Sequence, residues 1–219
     1  MRRSLRLLVL PLLALLAGCF CQEMVTKVTW LPDEGRFQVE RQLLNIQKDG
    51  LDCDSVEACV EKVKAFVADP TAFGDEVVGG MAEDVQVSLA RRGDRLDATV
   101  RWTTPEDSYA APGTSVFLEE EGKPGKEKFH LLVLAGGGAE GNEMRSTIVE
   151  AEGKKKLRRI WYAENDDAAP QRLEVWSLSP KTRTVTLRST LAPEAQPLMQ
   201  EVSGLADALV KAGLLPAEP

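Results

Sequence analysis

The sequence predicts an α+β protein, built from a predominantly antiparallel, curved β-sheet of about ten strands in successive hairpins and two amphipathic helices. Short runs in which apolar and polar residues alternate recur along the chain, and turns rich in Gly, Pro and Asp separate them. Two segments, about 55–68 and 197–212, instead repeat apolar residues at helical spacing. Hairpins with helices set apart from them are typical of an antiparallel sheet, and a sheet of ten strands is expected to curl or split.

The predicted strands follow one another in pairs. A turn containing Pro32 and Gly35 joins the first pair, and Val85, Val87 and Leu89 mark the apolar face of a strand in the second. In chain order the pairs are 24–30 with 36–46, 84–90 with 95–102, 114–120 with 128–135, 144–152 with 156–164, and 171–178 with 183–191. All four tryptophans lie in or at the end of these strands, which favours positions in the core or lining a groove.

The first predicted helix has both a start and a stop signal. Asp54 with Glu57 resembles a capping box, and Asp69-Pro70 ends the helical pattern. Its apolar stripe consists of Val56, Cys59, Val60, Val63, Phe66 and Val67. The stripe predicts that one face of this helix packs on the sheet.

The second predicted helix lies near the C-terminus. Pro197 suits the first helical position, and Lys211, Gly213 and Pro216 mark the end. Its apolar stripe consists of Leu198, Val202, Leu205, Leu209 and Val210.

The N-terminus has the pattern of a cleaved secretory signal peptide. Arg2, Arg3 and Arg6 precede an apolar run, Leu7 to Leu16, which is about half as long as a membrane-spanning helix. The tetrapeptide Leu16-Ala17-Gly18-Cys19 that ends it resembles the lipobox of bacterial lipoproteins. That resemblance implies cleavage before Cys19, which would then carry a diacylglyceryl thioether and a third acyl chain on its amine. Two or more acyl chains anchor a protein firmly to a membrane.

This resemblance divides the chain into a signal peptide (1–18), a lipidated N-terminus with a short tether (19–23) and a single α+β domain (24–215). Lipoproteins retained in the inner membrane of Gram-negative bacteria carry Asp after the lipidated cysteine. Phe20 stands there instead, which favours the outer membrane with the domain facing the periplasm. Removal of residues 1–18 leaves 24 basic and 34 acidic residues, a net charge of −10. That acidity argues against nucleic acid as a partner.

Export would place the remaining cysteines in an oxidising compartment. Cys53 comes just before the first helix and Cys59 lies in its first turns, so a chain that folds back at the helix start could join them. We predict a structural Cys53–Cys59 disulfide, with a Cys21–Cys53 or Cys21–Cys59 bridge as the alternative. Cys21 is otherwise a thiol with no assigned role.

One basic cluster stands at a predicted hairpin tip and is a candidate contact with an acidic partner or with lipid headgroups. Glu150 and Glu152 on the preceding strand favour instead a solvated edge with charges compensated across the strands. The cluster consists of Lys154, Lys155, Lys156, Arg158 and Arg159.

Three further patterns each lack part of a chemical site. Gly136 to Gly141 matches G-x-G-x-x-G, but no predicted helix follows to hold a dinucleotide. The acids from Asp49 to Glu57 lack the ligand and glycine positions of a calcium loop. His130, the single histidine, lies in an alternating strand. We therefore predict no catalytic site, no metal site and no cofactor.

The sequence as a whole predicts a lipid-anchored lipoprotein of the cell envelope that acts as a non-enzymatic binding or scaffolding module. Its partners would be the membrane, through Cys19, and an envelope protein whose identity the sequence does not give. The first alternative is a carrier that holds an apolar ligand, a lipid or a lipoprotein, in a cavity of the curved sheet. An enzyme with a carboxylate-lined cleft is the second.

Overall fold

The computed structural model describes residues 21–73, 77–79, 81–106, 116–121, 128–134, 144–151, 158–162, 171–178, 183–191 and 204–216. The strands are β1 Cys21–Leu31, β2 Arg36–Ile46, β3 Glu83–Arg92, β4 Arg95–Pro105, β5 Val116–Glu121, β6 Lys128–Leu134, β7 Met144–Ala151, β8 Arg158–Tyr162, β9 Gln171–Leu178 and β10 Thr184–Leu191. The helices are α1 Lys48–Leu51, α2 Val56–Ala68, a 3-10 turn Pro70–Phe73, and α3 Leu205–Lys211.

The strands pair antiparallel throughout the described residues. One sheet has the order β3-β4-β2-β1-β10-β7, and β5, β6, β9 and β8 form a second, in the order β5-β6-β9-β8. Together with the helices α2 and α3, this arrangement confirms the predicted α+β class with an antiparallel sheet.

The core lies between one face of the six-stranded sheet and the two longer helices. Val28, Val39 and Val100 of three neighbouring strands are completely buried. Helix α2 adds Cys59, Val60, Val63 and Phe66, as its stripe predicts, and α3 adds Leu205 and Leu209. A helix of four turns or fewer is marginal alone in water, so this apolar contact provides most of the stability of α2.

Helix α2 begins at Val56, one residue later than the sequence predicted. Ser55, one residue after Asp54, is the N-cap of α2, and its hydroxyl accepts a hydrogen bond from the backbone N–H of Ala58. The described part of the second helix begins at Leu205, because Gly204 before it has φ 80°, a left-handed conformation that a continuous helix does not contain. The predicted start at Pro197 lies outside the described residues.

Two of the predicted hairpins do not form. The segments on either side of Gly153 belong to different sheets, since β7 pairs with β10 while β8 pairs with β9. The segments 171–178 and 183–191 also separate, because β9 pairs with β6 and β8 whereas β10 pairs with β1 and β7. Alternation identifies a strand but carries no information about its partner, and neighbours in sequence pair only about two times in three.

Candidate functional site

The buried face of the six-stranded sheet carries polar side chains among its apolar ones. In β2 the inward positions are Phe37, Val39, Arg41 and Leu43, so an arginine takes a place that the alternation gives to an apolar residue. The register sets Arg41 between Thr26 of β1 and Val100 of β4, and one row further along it sets Val39 between Val28 and Trp102. We treat this polar part of the core, Thr26, Arg41, Trp102 and Thr104, as the candidate site.

Arg41 is completely buried and binds groups from three directions. Its Nε donates to Thr26 Oγ1 at 3.1 Å, and its Nη1 donates to the backbone carbonyl of Val77 at 2.8 Å. The guanidinium carbon lies 5.0 Å from the centroid of the Trp102 ring, a distance at which a cation is attracted to the ring face. Because removing a charge from water is costly, the buried guanidinium needs compensating contacts, and the two hydrogen bonds and the Trp102 ring provide them.

Trp102 and Thr104 place two unsatisfied polar atoms on the same face. Trp102 is 2% exposed and Thr104 is completely buried, and neither Trp102 Nε1 nor Thr104 Oγ1 has a hydrogen-bond partner among the described residues. Since they are two residues apart on one strand, their side chains point to the same side. A buried polar group without a partner costs about 1–3 kcal/mol. These two atoms are therefore the hydrogen-bonding groups of this face that an added acceptor would stabilise.

A second tryptophan on this face makes the hydrogen bond that Trp102 lacks. Trp30 is 3% exposed, and its Nε1 donates to Glu106 Oε2 at 2.7 Å. Trp30 and Thr104 share one row of the register, with Phe37 of β2 between them. This face thus carries two similarly buried indole N–H donors, of which Trp30 is bonded to Glu106 and Trp102 has no acceptor within the described part of the chain.

The predicted disulfide joins Cys53 and Cys59. Their Cα atoms are 5.2 Å apart, within the usual range for a disulfide, because the chain turns into α2 between them. Cys59 is completely buried against the core. The alternative bridges from Cys21 do not form, since Cys21 is a buried thiol at the start of β1, opposite Ile46.

The N-terminal end of β1 is tightly built into the sheet. The predicted tether residues 21–23 lie within β1, and Cys21 is 1% exposed. At this end the side chain of Asn45 donates to Gln22 Oε1 at 3.0 Å, and its backbone N–H donates to Asp97 Oδ1 at 2.8 Å. Asn45 has φ 55°, so the Asp97 contact stabilises a left-handed residue at the end of β2. Strand β1 is therefore fixed from its first residue.

The opposite, outward face of the sheet is polar and carries ion pairs. Arg101 Nε donates to Glu40 Oε2 at 2.7 Å, and the two residues are direct neighbours across β2 and β4. This hydrogen bond, opposed by partial burial, holds the pKa of the Glu40 carboxyl below its ordinary value. Arg36 lies 3.4 Å from Glu83, and Arg188 lies 3.1 Å from Glu23 on the same face.

We expect Glu40→Gln to lower the free energy of unfolding at pH 7 by up to about 1 kcal/mol, because the pair is partly exposed and screened by solvent. The lowered pKa fixes the pH dependence. The contribution is fully present above the pKa of Glu40 in the unfolded chain and is lost as the pH falls through the lower pKa of the folded protein. Urea unfolding of both proteins between pH 7 and pH 3 measures it. A difference that persists at the acid end would assign the effect to packing.

The residues predicted from the sequence as contacts fall largely outside this face. Arg158 and Arg159 lie in β8, where the register sets them opposite Val175 and Glu174. Cys19, Lys154 to Lys156 and the glycine-rich segment 136–141 lie outside the described residues. His130 lies in β6, opposite Glu119 and Ser177.

Arg41 was not among the residues predicted from the sequence, although the alternation of β2 indicates its inward position. Its position has the same parity as Phe37, Val39 and Leu43, which the alternation of β2 turns inward. A charged residue at such a position either interrupts the alternation and faces solvent, or lies buried and makes polar contacts inside the core. The residues next to it in sequence do not decide between these two cases. Trp102 was expected in the core or a groove and is confirmed as buried.

Among the described residues, no three His, Cys, Asp or Glu side chains are grouped so that they could hold a metal ion. No described helix has both the length and the apolar character to cross a membrane. No protein-family model matches the chain, and searches of curated proteins and of solved structures found no match either.

Proposed function

We propose that the chain is a lipid-anchored lipoprotein of the cell envelope, acylated on Cys19, whose α+β domain acts as a non-enzymatic binding or scaffolding module. The lipobox Leu16-Ala17-Gly18-Cys19 is the observation that carries the anchor, and strand β1 includes Cys21, two residues after Cys19. Two residues of extended chain span at most about 7 Å. An acylated Cys19 would therefore hold one end of the sheet directly at the bilayer.

This attachment would orient the domain. Cys21, Ile46 and the β3–β4 turn lie at the same end of the sheet, because β1 and β2 pair antiparallel and β4 continues the order. That end would face the membrane, and the far end with Trp30 and Glu106 would point into the periplasm of an outer-membrane lipoprotein. In this proposal the sheets are curved, and an envelope protein binds a surface away from the bilayer, with Lys154, Lys155, Lys156, Arg158 and Arg159 as candidate contacts.

Replacement of Cys19 by serine tests the anchor. In cells producing the full chain, we expect Cys19→Ser to remain uncleaved at Gly18 and to lose the mass of the lipid. Cys21→Ser is the matched control, because it removes a cysteine only two residues away. This variant should still be cleaved after Gly18 and should still carry the lipid on Cys19. Mass spectrometry of the extracted protein gives the readout. A Cys19→Ser protein that is cleaved normally and stays in the membrane fraction would rule out acylation at this residue.

A second candidate function is carriage of an apolar ligand that has a hydrogen-bond acceptor. The unsatisfied Trp102 Nε1 and Thr104 Oγ1 favour it, because a bound acceptor would satisfy both within an apolar face. Native mass spectrometry of protein extracted from its own membrane distinguishes the two functions. A carrier would retain a lipid in addition to any acyl chains on Cys19, and a binding module would not.

A further inference from the structure

Strand β3 forms the outer edge of the six-stranded sheet. Within the described part of the chain it pairs on one side only, with β4, and this pairing is regular from Gln86 to Arg92. Proteins usually protect such an edge with charges, proline or a bulge. In β3 the bulge is confined to the start, where the register shifts between Glu83 and Gln86. The segment from Gln86 to Ala90 contains neither a charged residue nor proline, so the regular part of the edge is open to a further strand.

The turn that follows β3 determines which of its residues direct their backbone groups outward. It is a two-residue hairpin turn with Arg92 opposite Arg95, and Gly93 within it has the positive φ of 63° that such turns need. The two closing residues form a hydrogen-bonded pair, and bonded and non-bonded positions alternate along an antiparallel ladder. The even-numbered residues of this segment therefore bond to β4, whereas Val87 and Leu89 direct their N–H and C=O groups away from it.

The side chains of the same two residues lie at the rim of the apolar inner face. Val87 and Leu89 are half-buried, whereas Val100 and Ala98, which lie opposite them on β4, are buried. Met81, two residues before the strand, is 69% exposed and is the one large hydrophobic side chain that is exposed among the described residues. The edge thus leaves part of the apolar face uncovered. An added strand would cover it only if its own apolar residues alternate in the same way.

The charged residues at the two ends of β3 already have partners within the chain. The pairs are Glu83 with Arg36, Arg91 with Asp207 and Arg92 with Asp97, at 3.4, 2.7 and 3.3 Å. Between these ends the edge offers only backbone groups and uncharged side chains. An occupant is therefore selected by an extended backbone and by alternate apolar residues, because a helix has already bonded its backbone groups internally.

We propose that β3 binds an extended segment of another envelope protein by strand addition, antiparallel to β3, with apolar residues of the segment opposite Val87 and Leu89. The pairing forms about four backbone hydrogen bonds at these two positions and extends the apolar inner face by one strand. In this mode of recognition the backbone bonds provide affinity, and the alternate side chains provide selectivity. The inference deepens the proposed binding function and rests on it, but it does not depend on acylation at Cys19.

A second copy of this chain fits the edge less well than a different protein. Antiparallel pairing of two β3 strands would place the Cys21 ends of the two copies on opposite sides, and only one of them would lie at the bilayer. Parallel pairing about a twofold axis would set the same outward residues of both copies opposite each other, and a parallel ladder does not join such positions. A segment of another protein meets neither obstacle.

Peptide binding to the full chain tests strand addition. The probe is a fluorescein-labelled synthetic peptide that alternates valine with serine and threonine and carries a lysine at each end for solubility. We expect it to bind, with fluorescence anisotropy as the measurement. N-methylation of its valines removes the donors that face β3 and should abolish binding, whereas N-methylation of its serines and threonines should not. The opposite order would overturn the antiparallel direction, and no binding of the unmodified peptide would overturn strand addition.

Hydrogen exchange of the same complex locates the bound peptide. In the full chain alone, the amides of Val87 and Leu89 should exchange fast, and those of Gln86 and Ser88 should exchange slowly because they bond to β4. We expect the peptide to slow exchange at Val87 and Leu89 and to leave the other two unchanged, as read residue by residue by NMR. Bound peptide without this slowing would place it elsewhere and overturn the site. Protection of Val87 that depends on protein concentration alone would show that a second copy occupies the edge instead.

A proline variant separates the backbone of the edge from its side chains. Residue 87 directs its N–H away from β4, so Val87→Pro removes a donor to the peptide without removing a bond within the sheet. Val87→Ala is the matched control, since it shortens the side chain and keeps the N–H. We expect Val87→Pro to lose peptide binding and Val87→Ala only to weaken it, with urea unfolding as the check that both are folded. Equal binding by the two variants would overturn the backbone pairing. The anchor is tested separately by Cys19→Ser, so failure here is distinguishable from failure of acylation.

Discussion

Replacement of Arg41 by alanine is expected to lower the free energy of unfolding by about 3 kcal/mol or more. The change leaves Thr26 Oγ1 and the Val77 carbonyl without their donor, at about 1–3 kcal/mol for each buried acceptor. It also removes the aliphatic stem of a completely buried side chain and leaves a cavity in the sheet face. For a domain of this size the midpoint of thermal unfolding should fall by about 6–12 °C.

Two further variants decide which part of Arg41 is responsible. Arg41→Met keeps most of the stem but leaves the same two acceptors without their donor, so we expect it to destabilise less than Arg41→Ala only by the contribution of the cavity. Arg101→Ala removes the same residue type from the outward face of the neighbouring strand, where the side chain is half exposed. It should cost at most about 1 kcal/mol. Urea unfolding provides all three values, and a cost for Arg41→Ala no larger than for Arg101→Ala would contradict the assigned contacts.

The local elements were predictable because their signals are local. Strand β2 runs from Arg36 to Ile46 as its alternation predicts, and α2 lies within one residue of the predicted 55–68. The misplaced cap has a simple reason. Asp54 and Ser55 are both good N-cap residues and adjacent in sequence, so residue type alone does not decide which of them takes the position.

The order of the strands could not be predicted in the same way. Strand β10 pairs with β1 at one edge and β7 at the other, and these partners lie far from it in sequence. Which strands pair depends on how the apolar faces of all the strands and helices pack together. The alternation within one strand does not indicate its partner. The candidate site depends on this order, because Arg41 meets Thr26 and Trp102 only when β2 lies between β1 and β4.

Trp102→Ala is expected to be about as destabilising as any substitution in the sheet, at about 3–5 kcal/mol, because it removes a large buried ring from beside Arg41. The two effects should not add. Since each substitution already removes the contact between the guanidinium and the ring, the double variant should be less destabilised than the two single effects together, by about 1–2 kcal/mol. Additive values would show that the 5.0 Å contact contributes nothing.

Phenylalanine substitutions isolate the indole N–H from the ring. Trp30→Phe breaks the hydrogen bond to Glu106, whereas Trp102→Phe removes a buried donor that has no acceptor among the described residues. With similar burial of both rings, Trp30→Phe should destabilise the protein by about 1 kcal/mol more than Trp102→Phe. Urea unfolding of protein purified from a foreign host measures this difference. If the order reverses in protein extracted from its own membrane, Trp102 Nε1 has acquired an acceptor there, and carriage of a ligand becomes the better account of this face.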